Sequence, residues 1–286
     1  MATQSMVLER GPALSQELSV PRVATARERI DIGGVLIDKV DLNGALRRVE
    51  GFLHSTTVHQ VVTVNLDFLS IAQRDATFRE TLNTASMAVA DGMPLVWYSR
   101  MQGQPLAERV TGVTLVSECC RLAQAADRPV FLLGAAQGVA TQAAARLVEQ
   151  FPGLRVAAYS PPLGPISRRE NARILRMIHS AQPGFVFVAL GAPRQDLWIR
   201  ENLHRLDAQV AMGVGCVFDV LAGSVDRAPE WMQRSGLEWA YRLVHEPSRL
   251  WRRYLVNDSR MFGKLLLDLL RGTPAAVRGE QIVVPT

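Results

Sequence analysis

Residues 185–206, FVFVALGAPRQDLWIRENLHRL, decide the fold class. Phe185 to Leu190 form an apolar run of strand length, Gly191 to Pro193 interrupt it, and Gln195 to Leu206 have helical character. The same order recurs upstream. Short runs rich in Val, Ile, Phe or Ala fall at Gln60 to Val64, Met87 to Ala90, Val130 to Leu133 and Arg155 to Tyr159, with a last one downstream at Gln209 to Val214. Helical stretches separate them at Leu66 to Ala85, Thr111 to Ala126, Val139 to Gln150 and Arg168 to Ser180. This alternation predicts an α/β fold, a Rossmann-like, mainly parallel sheet with helices on both faces. Ahead of it, IDIGGVLIDKV from Ile30 predicts a β-hairpin turning at Gly33-Gly34, and Asp41 predicts the cap of a helix running towards Phe52.

With 286 residues, 48% of them hydrophobic and 21% charged, the chain can bury a full core, which excludes a disordered or fibrous protein. The three cysteines, Cys119, Cys120 and Cys216, match neither a disulfide framework nor a zinc motif, and a reducing compartment fits them. The longest uncharged stretch, Pro129 to Ala145, is broken by Gly134 and Gly138 and does not suit a membrane span, so a soluble or peripheral protein is expected. Four segments follow: a loose tail over 1–28, an α/β core over 29–227, a helical appendage over 228–272 and a flexible tail over 273–286.

Ligands of open α/β sheets bind beyond the carboxyl ends of the strands, so the candidate site residues are sought there. Those ends supply Thr63 and Asn65, Asp91, Gly134, Gly191 with Gln195, and Gly213 to Gly215 with Asp219. Asp91 follows an apolar strand in AVADGMPLVW, where a carboxylate serves either as a general base or as the cap of the next helix. The loop LGAAQGVA suits an anion at a helix start, or a tight turn with no ligand, and it lacks the G-x-G-x-x-G spacing of a nicotinamide site. Gln195 presents an amide that can donate and accept, and Arg109 in LAERVTG sits in a connection suited to clamping a phosphate. The five histidines show no metal spacing, no serine has a nucleophile-elbow context, and the cysteines fit buried structural thiols.

The net charge is +5, and between Tyr241 and Arg271 seven basic residues face three acidic ones. On a helix starting at Pro247 and advancing about 100° per residue, Arg249, Arg253, Arg260, Lys264 and Arg271 fall on one stripe. Tyr254, Leu255, Met261, Phe262, Leu265 and Leu269 gather opposite. Such a helix suits an anionic membrane surface, where each cation contributes about 1 kcal/mol, or a solvated face on an ordinary packed helix. No aromatic platform accompanies the charges, which argues against nucleic acid.

Taken together and in order, TVNLDFL, ADGMPLVW, ERVTG, LLGAAQGVA, FPGLRVA, LGAPRQD, GVGCVFDVLAGSVDRAPEWM and GLEWAYRLVHEPSRLWRRY resemble the WecG/TagA/CpsF family of bacterial glycosyltransferases, over about residues 30–256. The resemblance implies inverting transfer of an N-acetylmannosamine-type sugar or glucose from a UDP-sugar to a polyprenyl-diphosphate-linked saccharide. That chemistry serves cell-surface or exopolysaccharide synthesis at the cytoplasmic membrane face, with neither a cofactor nor a D-x-D metal motif.

Carried over residue by residue, the family's D-G motif falls on Asp91 and implies the general base. The T-x-N pair falls on Thr63 and Asn65, the R-x-x-G arginine on Arg109, and P-x-Q on Pro193 and Gln195, implying donor contacts. F-D-x-x-A-G gives Asp219 for the ribose or uracil. E-W-x-x-R and E-P-x-R lead to Arg242, Arg249 and Arg252, implying an appendage that docks on the membrane and reaches the lipid diphosphate. Where many members carry Glu after P-x-Q, this chain carries Asp196, and the role of that position stays open. The rival expectation is a nucleotide-sugar-binding protein or an oxidoreductase using the same crevice, and the oligomeric state stays open.

Overall fold

The computed structural model describes residues 27–271. Six strands form one parallel sheet, and two more form an antiparallel hairpin, Arg29–Ile32 (β1) with Val35–Asp38 (β2). The sheet strands are His59–Val64 (β3), Met87–Ala90 (β4), Val130–Gly134 (β5), Val156–Tyr159 (β6), Phe185–Ala189 (β7) and Val210–Gly213 (β8). Their spatial order is β4-β3-β8-β7-β5-β6. The chain therefore builds one edge through β3 and β4, crosses to β5 and β6, and fills the centre last with β7 and β8. All six carboxyl ends lie on one side, and the crevice opens where the strand order reverses.

Alternation along the strands makes the layers. Val61, Leu132, Phe185 and Phe187 join one apolar cluster, with the helices Leu42–Leu53, Gly112–Ala125 and Val139–Gln150. Their neighbours Val62, Phe131, Leu133, Val186 and Val188 point to the other face, which holds two clusters. Because successive strand residues face opposite sides, runs buried on both faces are apolar throughout, and that made them legible in the sequence. Asp41 caps the first helix by accepting from the Gly44 N–H at 2.6 Å.

Two boundaries differ from expectation. The stretch from Leu66 to Ala85 is two helices, Leu66–Ala72 and Ala76–Thr84, because Asp75 accepts from the Phe78 N–H and starts the second. The stretch from Gln195 to Leu206 is an α-helix over Arg194–Asn202 that tightens into a 3₁₀ turn, Leu203–Arg205.

The C-terminal segment departs further. Helices run over Glu230–Ser235, Glu238–His245, Pro247–Trp251 and Ser259–Leu270, and Arg252–Asp258 between the last two winds as a π-helix. Its wider i→i+5 turn breaks the 100° step, so the single basic stripe does not form. Arg253 instead turns inward to Asp67 at 3.4 Å, while Arg260, Lys264 and Arg271 are exposed. Leu255, expected on the packed side, is also exposed. Met261 and Leu265 do pack, in the cluster formed by Ile30, Ile32 and the helices after β3. The appendage thus shares a core with the hairpin. The side chain of Arg249 and the tails over 1–26 and 272–286 lie outside the described residues.

Candidate functional site

A cleft of about 800 Å³ opens along the carboxyl edge of the sheet. Thr63, Asn65, Asp91, Arg109, Gly191, Gln195, Asp219 and Arg242 all line it. Gly134 does not, and Ala135 reaches the cleft in its place. At Gly134, φ is +110°, and a Cβ would lie 2.5 Å from the Ala189 carbonyl oxygen, so glycine is required there by the approach of β5 to β7. Arg252 is also outside the cleft lining, with its guanidinium over the Trp251 ring at 5.4 Å. The π-helical turn that brings Arg253 and Tyr254 in turns Arg252 out.

Asp91 is the first residue past β4, on the cleft floor. Its N–H donates to the Val64 carbonyl at 2.7 Å, which fixes the residue to β3. The helix that follows, Met93–Met101, is capped by Gly92 without any side-chain bond, so Asp91 is not its cap. The carboxylate instead accepts from the Gly112 N–H, 3.2 Å from Oδ2, at the start of the helix Gly112–Ala125. Burial raises its pKa to about 6, against the lowering effects of the Gly112 N–H and Arg109. A carboxyl poised near neutrality and open to a cleft has the properties of a general base.

Around this floor the polar groups divide into two walls. On the sheet side, Asn65 caps the helix Leu66–Ala72 by accepting from the Phe68 N–H at 3.2 Å, and Thr63 is nearly buried. Gln195 is buried, and its Oε1 accepts from the Gly215 N–H at 3.0 Å, pinning the loop after β8. Asp196 beside it is fully buried, with neither carboxyl oxygen hydrogen-bonded among the described residues. Burial raises its pKa to about 7, and the Gln195 amide offsets only part of that. A Cβ on Gly213 would meet Asp196 Oδ1 at 2.5 Å and Gln195 Nε2 at 2.7 Å, so these three residues are closely packed.

On the appendage side the charges are paired. Arg109 donates to Glu238 Oε2 at 2.9 Å and to the Gln233 carbonyl at 3.0 Å, so the expected clamp bridges the core to the appendage. Arg242 donates to Cys216 Sγ at 3.2 Å and lies 3.6 Å from Glu246. Cys216 therefore faces the cleft, whereas Cys119 and Cys120 are the buried thiols expected. Sequence reasoning singled out neither Glu238 nor the inward roles of Arg253 and Tyr254. The two acids set among the arginines of GLEWAYRLVHEPSRLWRRY, Glu238 and Glu246, were the available signal for Glu238. No three His, Cys, Asp or Glu side chains gather as a metal-binding group among the described residues, and none of their helices is long and apolar enough to cross a membrane.

The sequence profile of the "Glycosyl transferase WecG/TagA/CpsF family" matches residues 30–275. The chain is 31% identical over 226 residues to the N-acetylglucosaminyldiphosphoundecaprenol N-acetyl-beta-D-mannosaminyltransferase of Staphylococcus aureus strain MRSA252, covering 78% of this chain and 87% of that protein. The corresponding protein of strain MW2 gives the same identity and coverage.

Proposed function

The chain belongs to the WecG/TagA/CpsF family of glycosyltransferases, and from that premise we propose that it moves a sugar from a UDP-sugar onto a polyprenyl-diphosphate-linked saccharide, with inversion at the anomeric carbon. The acceptor class rests on the names of the Staphylococcus aureus relatives, which act on an undecaprenyl-diphosphate-linked N-acetylglucosamine. One observation carries the chemistry, the cleft-floor carboxylate of Asp91 held by the Gly112 N–H.

In the proposed step Asp91 takes the proton of the acceptor hydroxyl as that oxygen attacks the anomeric carbon. The bond from this carbon to the UDP oxygen breaks, and the electron pair leaves with the diphosphate. Charge grows on that diphosphate, and of the arginines that line the cleft Arg109 and Arg242 would offset it. Arg109 is paired with Glu238 and Arg242 lies 3.6 Å from Glu246, so a bound diphosphate would compete with these carboxylates for the two guanidinium groups. Gln195, with Thr63 and Asn65, lines the cleft where the donor sugar and phosphates would lie, and Asp219 where the ribose would. Gly134 serves the sheet rather than the ligand in this reading.

The appendage supplies the membrane contact. It exposes Trp251, Leu267 and Leu270, with Leu255 at the cleft, among the exposed Arg252, Arg260, Lys264 and Arg271, a mixture of apolar and basic groups suited to an anionic leaflet. Peripheral attachment at the cytoplasmic face follows from this reading. The test is UDP release from a panel of UDP-sugars, with and without a polyprenyl-diphosphate-linked acceptor in lipid, comparing wild type with Asp91→Asn. Acceptor-dependent release from one donor, lost in the variant, is expected. Release that the variant leaves intact would remove Asp91 as base.

A further inference from the structure

Across the cleft from the appendage, residues 160–167 (SPPLGPIS) join β6 to the helix Arg168–Ala181 at the carboxyl edge of the sheet. Leu163 in this loop is 97% exposed, more than any other large hydrophobic side chain among the described residues. The loop is nevertheless held at both ends. Ser160 Oγ donates to the Gly134 carbonyl at 2.8 Å, and Gln137 Nε2 donates to the Ser160 carbonyl at 2.9 Å. Ser167 caps the following helix through the Glu170 N–H. Pro161, Pro162 and Pro165 restrict φ in between, so little entropy is left to lose when the tip binds. The fold thus presents a leucine to solvent on a stiff support.

Its surroundings are basic. Arg168 and Arg169 follow directly and are exposed, as are Arg173 and Arg176 further along the helix, while the single acid of the first turn, Glu170, accepts from the Tyr159 hydroxyl. Leu163 and Leu255 line the same cleft, one from the loop and one from the appendage, so its mouth lies between two apolar tips, each with arginines beside it. A lone exposed leucine needs no explanation. A rigid one, next to an arginine cluster and facing a second basic and apolar rim, matches an anionic leaflet in both hydrophobicity and charge.

We propose that residues 160–167 form a second membrane contact, in which Leu163 enters the leaflet and Arg168 and Arg169 meet its anionic headgroups. The protein then straddles the cleft mouth, with the carboxyl edge of the sheet towards the bilayer, so a lipid-linked acceptor enters the cleft from the membrane. This rests on the appendage being the first contact.

The experiment places an environment-sensitive fluorophore on the full chain at Leu163→Cys and, separately, at Leu270→Cys on the appendage, with labelled wild type correcting for Cys216. Vesicles of phosphatidylglycerol and of phosphatidylcholine are compared. Blue shifts at both positions on phosphatidylglycerol alone are expected. A shift at position 270 without one at 163 overturns the second contact and leaves the appendage reading standing, and no shift at either position overturns both. Leu163→Asp, at a site open to solvent and so harmless to folding, should lower co-sedimentation with phosphatidylglycerol vesicles by about tenfold, the scale of one leucine withdrawn from an apolar medium. Unchanged co-sedimentation would count against the proposal.

Discussion

The two walls of the cleft are built by different means. The sheet wall hangs on a parallel ladder, with the Asp91 N–H tied to the Val64 carbonyl and the loop after β8 held where the Gly215 N–H donates to the Gln195 side chain. The appendage wall meets the core through side chains: Arg109 to Glu238, Arg253 to Asp67, and two apolar anchors, Met261 and Leu265. A ladder sets atoms within tenths of an ångström, as a base needs. Side-chain ion pairs can exchange partners, as a wall that admits an anionic ligand needs. On the proposed function, chemistry and admission then fall to opposite sides of one cleft.

The assignment is tested most severely at Asp91. Asp91→Asn keeps the shape and removes the proposed base, so kcat should fall by about 10²–10⁴-fold while UDP binding persists. In the wild type, activity should rise as pH passes about 6 and level off above it, because the carboxyl must be ionised to accept a proton. A flat profile from pH 5 to 8 would place the base elsewhere. Next in size comes the anchor of the other wall. Leu265→Ala empties a buried position between the hairpin and the helices after β3, and should cost about 2–4 kcal/mol in chemical denaturation. A loss below about 1 kcal/mol would mean the appendage wall hardly contributes to the fold.

The same division governed what the sequence revealed. Strands buried on both faces read as apolar runs, and their carboxyl ends pointed to Asp91, Asn65 and Gln195 with no structure at hand. The demand for glycine at position 134 comes from the Ala189 carbonyl on a neighbouring strand, a tertiary contact that no local pattern encodes, and the residue falls outside the cleft lining. In the appendage, a wheel of constant step could not register the π-helical turn at Arg252–Asp258, so Arg253, expected on the basic stripe, turns in to Asp67. Arg109 and Glu238 are 129 residues apart, and no local spacing links them.

Asp196 sharpens the comparison within the sheet wall. It lies in the same region as Asp91 and is likewise raised by burial, to about 7, yet it is sealed from solvent, and the Gln195 amide and its own backbone offset only part of the rise. The folded state therefore holds a proton on Asp196 that the unfolded chain, with a pKa near 3.8, releases. The associated stability is present below pH 4 and lost as pH rises through about 7, at most about 1.4 kcal/mol per unit. Asp196→Asn removes this dependence, so the variant should gain on the wild type in chemical denaturation between pH 5 and 8. Parallel curves would show that Asp196 titrates normally.

The smallest expected effect concerns how loosely the second wall is held. Arg253 and Asp67 are each a quarter to a third exposed, so their attraction is partly screened and contributes less than about 1 kcal/mol. Asp258 nearby is raised to about 7, chiefly by burial, with Arg253 lowering it and Asp67 raising it. Asp67→Asn therefore removes a partner of Arg253 and a repulsion on Asp258 together, and the two changes oppose each other. Global stability should move by no more than about 0.5 kcal/mol. Hydrogen exchange separates the walls more finely, because local opening reports each region by itself. Amides over Glu238–Asp258 should exchange well ahead of those in β3 and β8, and Asp67→Asn should speed only the former, by about twofold. If both regions slowed or quickened together, the cleft would open as a single body, and the separation of a fixed wall from an exchangeable one would fail.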